Sequence, residues 1–195
     1  MRFYPSILVC AFLFFGAFMP LQAAIVQGAV KNPKEDKAMT FTIESPAFSD
    51  KGQIPAVCTC DGKDISPALN WWGVPEGTKS FALIVDDPDA PDPAAPKMTY
   101  VHWVLFNIPA DVTGLPENVR DLPPGTREGL NDWGRTGYGG PCPPIGTHRY
   151  FHKLYALDAV LDIPGTPTKS QLEAAMKGHI LAEAVLVGTY KRPGR

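Results

Sequence analysis

Twenty-one prolines are scattered among the short apolar runs of this 195-residue chain, roughly twice the usual share of about 5%. Each fixes φ and removes a backbone donor, so neither long helices nor uninterrupted central strands can pass through them. The segments left between them suit strands joined by stiff loops, and the chain reads as β-rich rather than as a helical bundle. The densest cluster, Gly140-Pro141-Cys142-Pro143-Pro144, is followed closely by His148-Arg149-Tyr150. It reads as a rigid turn ahead of a strand that begins near His148.

Met39–Ile43 alternates and predicts a strand, and Ser66–Trp72 brings another behind the turn signal Asp61-Gly62. Ser80–Val85 and Tyr100–Ile108 are apolar on both faces, the mark of strands covered on two sides or packed in a sandwich. Tyr150–Leu157 and Leu181–Tyr190 complete the strands, with loops expected over Pro88–Pro96 and Pro109–Pro144. Thr168 and Gln171 form a capping box for one helix, whose apolar face is Leu172, Ala175, Met176 and Ile180. The expectation is a single mainly β domain over residues 39–195, with Greek-key connections and one or two short helices.

A hydrophobic fraction of 45% with 19% charged residues describes a globular chain. The net charge of −2 and the lack of a long basic block exclude nucleic acid as a partner. Arg2, the apolar run Ile7–Met19 and Leu21-Gln22-Ala23 make the three parts of a secretory signal peptide over residues 1–23. An uncleaved anchor is the alternative, disfavoured by the shortness of the run. Residues 24–38 read as a flexible leader. The protein is therefore expected in the periplasm or secreted, where cysteines meet an oxidising compartment.

Beyond that segment lie Cys58, Cys60 and Cys142, enough for one bridge and one leftover thiol. On an extended strand Cys58 and Cys60 share a face, and either could meet Cys142. Cys60–Cys142 is the preferred pair, against three buried small hydrophobes or a zinc site without the familiar ligand spacing.

Chemistry could reside in three places. Asp86-Asp87-Pro88-Asp89-Ala90-Pro91 ends an apolar strand, and its prolines present the carboxylates; a solvated acidic turn is the plainer reading. His102 lies in an apolar strand, on one face with Tyr100, Val104 and Phe106, so it needs a partner or a cavity. His148 and His152 share a strand face but stand about 13 Å apart, too far to chelate one metal. No nucleophile elbow or phosphate-cradling loop is present, and no cofactor or metal is expected.

In order along the chain, Cys60-Asp61-Gly62, Ile65-Ser66-Pro67, DPDAP at Asp87–Pro91 and HWVLFNIP at His102–Pro109 form a distinctive series. GYGGPCPPIGTHRYFHKLYALD at Gly137–Asp158 and the final MKGHILAEAVLVGTY continue it. The series resembles the phosphatidylethanolamine-binding protein family, in its bacterial Raf-kinase-inhibitor-like branch, from about Phe41 to Tyr190. The resemblance implies an antiparallel β-sandwich with Greek-key topology and a small pocket for phosphate, phosphorylated head groups or carboxylates. The walls of that pocket match Asp87, Asp89, His102, Gly140, Pro141, His148 and Tyr150. It implies a non-catalytic binder or regulator of a small anion or phospholipid head group. The alternatives are an inhibitor of a serine peptidase or kinase, and a hydrolase using an Asp/His pair; a homodimer stays open. Few residues follow Tyr190, so the closing helix of eukaryotic members is expected to be reduced.

Overall fold

The computed structural model describes Met1 and residues 40–194. The chain divides into two units, Met1–Asp36 and Lys37–Arg195, and the fold below is that of the second. The signal-peptide and leader expectations fall, Met1 apart, outside the described residues.

Among the described residues eight strands and one α-helix follow in order: β1 Thr42–Glu44, β2 Leu69–Trp72, β3 Ser80–Ala90, β4 Met98–Pro109, β5 Gly114–Leu115, β6 Arg127–Glu128, β7 His148–Leu157, α1 Lys169–Met176 and β8 Ile180–Tyr190. They form two antiparallel sheets, β1-β2-β5 and β6-β4-β3-β7-β8. In the larger sheet β7 returns to lie beside β3, outside the β3-β4-β6 run, which is the Greek-key order. The mainly β, Greek-key architecture read from the sequence is the one observed.

The doubly apolar strands have two covers. Phe81, Leu83 and Val85 of β3 point into the core between the sheets, with Trp71, Leu69 and Ile43. Ala82 and Ile84 point the other way, under Leu172 and Met176 of α1. The capping box is present: the Thr168 side chain accepts from Gln171 N, and the Gln171 side chain accepts from Thr168 N. The helix ends at Met176, however, so Ile180 opens β8 and is exposed rather than completing the helical face.

Three further expectations are corrected. β3 does not stop at Val85; it runs on through Pro88 to Ala90, with a register irregularity between Asp87 and Ala90 that accommodates the proline. The long segment expected as loop contains the short strands β5 and β6. Cys58 ends a 3-10 turn, Ala56–Cys58, and Thr59 is buried, so Cys58 and Cys60 do not share the face of a strand.

Candidate ligand pocket

Alternation breaks once where it matters. Val85 pairs with Trp103 and Asp86 with Val101, leaving His102 as an extra residue on β4. Such a bulge re-aims side chains. Trp103 and Leu105 go to the inter-sheet core, whereas Val101, Val104 and Phe106 join the outer one beneath α1. The expected common face of His102 with Val104 and Phe106 is thereby split, and Tyr100 and His102 are left at the wall of a cavity.

That cavity has a volume of about 370 Å³. It is lined by Asp87 and Ala90 of β3, Met98, Tyr100 and His102 of β4, His148 and Tyr150 of β7, and by Pro91, Trp133 and Cys142–Pro144. Of the seven residues matched to a pocket, the structure brings Asp87, His102, His148 and Tyr150 to this wall. Asp89, Gly140 and Pro141 stand behind it. Arg149 takes Asp89 with its Nε at 2.9 Å, an Nη at 2.7 Å and its backbone N at 2.9 Å, and these bonds hold the Asp89 carboxyl below its usual range. Gly140 N donates to Asp64 Oδ1 at 2.6 Å, and the Pro141 carbonyl accepts from Cys60 N at 3.1 Å. Cys60 and Cys142 are disulfide-bonded and Cys58 is a buried free thiol, whose pKa burial pushes up to about 11.

The acidic run is not a solvated turn. Asp86, Asp87 and Asp89 are 0%, 3% and 4% exposed, and each has its own cation or imidazole. Asp86 Oδ2 accepts from Lys153 Nζ at 2.8 Å and Lys169 Nζ at 2.5 Å, on the face under α1. Asp87 Oδ2 accepts from His148 Nδ1 at 2.7 Å, and its Oδ1 from Asp89 N at 2.8 Å. His148 Nε2 reaches the Ile145 carbonyl at 3.1 Å. Both His148 nitrogens thus face oxygen atoms of the protein.

His102 differs. Its Nδ1 donates to the Gly139 carbonyl at 2.7 Å, so the neutral ring presents Nε2 as an acceptor. Burial lowers its pKa below the usual value, partly opposed by that carbonyl and by Asp87. The ring packs edge-on against Tyr100, Trp133 and Tyr150 at centroid distances of 5.6, 5.2 and 5.1 Å. Tyr150, 1% exposed, has a hydroxyl with no hydrogen-bond partner among the described residues. Burial, and secondarily the nearby Asp87 carboxylate, raise its pKa far above the ordinary phenol, although Asp87 lies outside bonding geometry. His152 is absent from the pocket; it is buried against Phe48. Among the described residues no group of three His, Cys, Asp or Glu is placed to hold a metal.

Trp133 and Met98 line the pocket without having been expected from the sequence. The signal for Trp133 was a lone tryptophan in the glycine-rich segment Asp132-Trp133-Gly134. Residues 44–191 match the family described as phosphatidylethanolamine-binding protein. The chain belongs to the phosphatidylethanolamine-binding protein family. Among its relatives, a UPF0098 protein of Methanothermobacter thermautotrophicus is 54% identical over 155 residues, spanning 78% of this chain and 99% of that one. One of Aquifex aeolicus is 49% identical, over 76% of this chain and 86% of its own. Among solved structures, the family homologue CT736 of Chlamydia trachomatis has a TM-score of 0.73 at 41% identity, covering 79% of this chain and 99% of its own. YbcL of E. coli, described as a member of the mammalian PEBP family, has a TM-score of 0.70 at 35% identity, with 78% and 99% covered.

Proposed function

We propose that this protein is a non-catalytic binder, acting in the periplasm or outside the cell, whose pocket takes a small phosphorylated head group or comparable anion. The observation that carries this reading is the unpartnered, buried hydroxyl of Tyr150, a residue that lines the same cavity as His102 and the Asp87–His148 pair. A buried hydroxyl without a partner costs free energy, and an oxyanion accepting from it removes that cost. The walls carry a carboxylate and no lysine or arginine, so an anion needs protons to be welcome there. His102 supplies one: protonated at Nε2, it turns from acceptor to donor toward the ligand. Asp87 suits the ammonium of a zwitterionic head group. The exposed Cys60–Cys142 bridge supports an oxidising compartment.

Binding is then coupled to proton uptake. Above the lowered pKa of His102, affinity rises by about tenfold for each pH unit of acidification when one proton enters with the ligand. Calorimetry with phosphoethanolamine, and with sulfate, whose charge is constant between pH 6 and 8, tests this. Tighter sulfate binding at pH 6 is expected; equal or weaker binding there refutes it.

A hydrolase using Asp87 and His148 draws support from their buried 2.7 Å contact. The second nitrogen of His148 is turned to the Ile145 carbonyl rather than to the cavity, which favours binding over acid–base work.

A further inference from the structure

β8 closes the larger sheet, so its outer edge has no named strand beside it. The chain itself fills part of that edge. Lys51 N donates to the Val187 carbonyl at 2.6 Å, Ile54 N to the Thr189 carbonyl at 2.8 Å, and Thr189 N to the Gly52 carbonyl at 2.8 Å. Val187 N donates to the Asp50 carboxylate at 3.1 Å. Register with β7 is unbroken from Ala182 to Tyr190, and residues two apart on a strand turn their backbone groups the same way. The N–H and C=O of Glu183 and Val185 therefore face this outer edge too, where none of the described residues bonds to them. Three of the ten large hydrophobics exposed among the described residues fall in the same stretch: Ile180 at 45%, Leu181 at 42% and Val185 at 43%.

An unpaired edge is a template for another chain unless a charge blunts it, and here the charge within the open stretch is Glu183. Glu183 pairs with Tyr155 and Val185 with Lys153, so both side chains stand on the α1 face of the sheet. The lysines of that face are engaged, since Lys153 and Lys169 both donate to Asp86 Oδ2. Glu183 has no ion pair among the described residues. A second copy of the chain fits poorly: two-fold pairing that sets Val185 against Leu181 also sets Glu183 against its own copy. We propose that this open half of β8 takes an extended segment of a partner protein as an added antiparallel strand. The segment's backbone bonds to Glu183 and Val185, with a lysine or arginine opposite Glu183 and an apolar residue opposite Val185. None of these residues lines the cavity, so the surface does not depend on the head-group reading.

The test uses the full chain and a capped, fluorescein-labelled peptide, Gly-Val-Thr-Arg-Thr-Val-Gly, whose Val, Arg and Val share one face when extended. Fluorescence anisotropy at low ionic strength compares it with a Glu-for-Arg peptide and with one N-methylated at the Arg. We expect the Arg peptide to bind at least fivefold more tightly than the Glu peptide, and Glu183→Lys to reverse that order. N-methylation of the peptide should weaken binding at least tenfold, because the bond it blocks is one the added strand makes. Val185→Pro should do the same, since the lost N–H lies on the open edge and the β7 ladder is untouched; thermal melting checks that this variant folds. Equal binding of the Arg and N-methyl peptides would reveal a charge contact only and overturn strand addition, as would no binding by the parent. A dimer of the protein alone in sedimentation, lost in Val185→Pro, would give the edge to a second copy and overturn it as well.

Discussion

Breaking the Cys60–Cys142 bridge should destabilise the protein mainly through its unfolded chain. The two cysteines are 82 residues apart in sequence. For a loop of that size the chain-entropy relation gives about 4.5 kcal/mol at 25 °C, an upper figure when the unfolded chain keeps residual structure. The native geometry around the bridge has other supports, since Gly140 N still donates to Asp64 and Cys60 N to the Pro141 carbonyl. The cost should therefore fall on the denatured side, at about 2 to 4.5 kcal/mol, or roughly 5–15 °C in Tm for a chain this long. Urea unfolding of the oxidised parent, the reduced parent and a Cys60→Ser/Cys142→Ser variant measures it. The reduced and serine forms should agree, with a lower midpoint and a larger m value, because an uncrosslinked chain exposes more surface. A loss under about 1 kcal/mol with m unchanged would refute the reasoning.

His152→Phe should remove a pH dependence. The His152 pKa is lowered to about 4 by burial, so the neutral ring favours the fold above the unfolded value near 6.5, and that stability drains as pH falls toward 4. About 3 kcal/mol should be lost by the parent between pH 7 and 4 and not by the variant, read from urea midpoints. Tyr150→Phe should leave stability unchanged or raise it by about 1 kcal/mol, since an unsatisfied hydroxyl goes, while sulfate affinity falls about tenfold. Gly140→Ala should cost about 1–3 kcal/mol by thermal melting. Its methyl would collide with the Cys58 carbonyl and come within 2.7 Å of Asp64 Oδ1 and 2.9 Å of Thr59 Cα, mostly atoms that cannot swing aside.

The site was legible through the family resemblance, which matched Asp87, His102, His148 and Tyr150 to a pocket wall. On β7 the period-2 alternation agrees with it, since His148 and Tyr150 reach the cavity from alternate positions. The same alternation failed on β4, since a bulge is a property of two paired strands and has no mark in either alone. Asp89 looked like a ligand group from its place in DPDAP, yet Arg149 claims it from the neighbouring strand, a pairing 60 residues distant. Pro88 read as the end of β3 because a proline ordinarily stops a ladder; the irregularity at that point let the strand continue. Cys58 carried no local cue to its 3-10 turn.

Asp86 and Asp87 are neighbours in sequence that face opposite ways, one gripping α1 through Lys169 and β7 through Lys153, the other holding His148 at the cavity. β3 is thus a party wall, and the two rooms cannot be remodelled independently along it. A one-residue insertion upstream of Asp86 would displace the tenants, presenting His148 with the wrong carboxylate and two lysines with none. Drift at this strand should therefore proceed by substitution and not by length change, leaving variation in ligand preference to the rim and to the segment that carries Trp133.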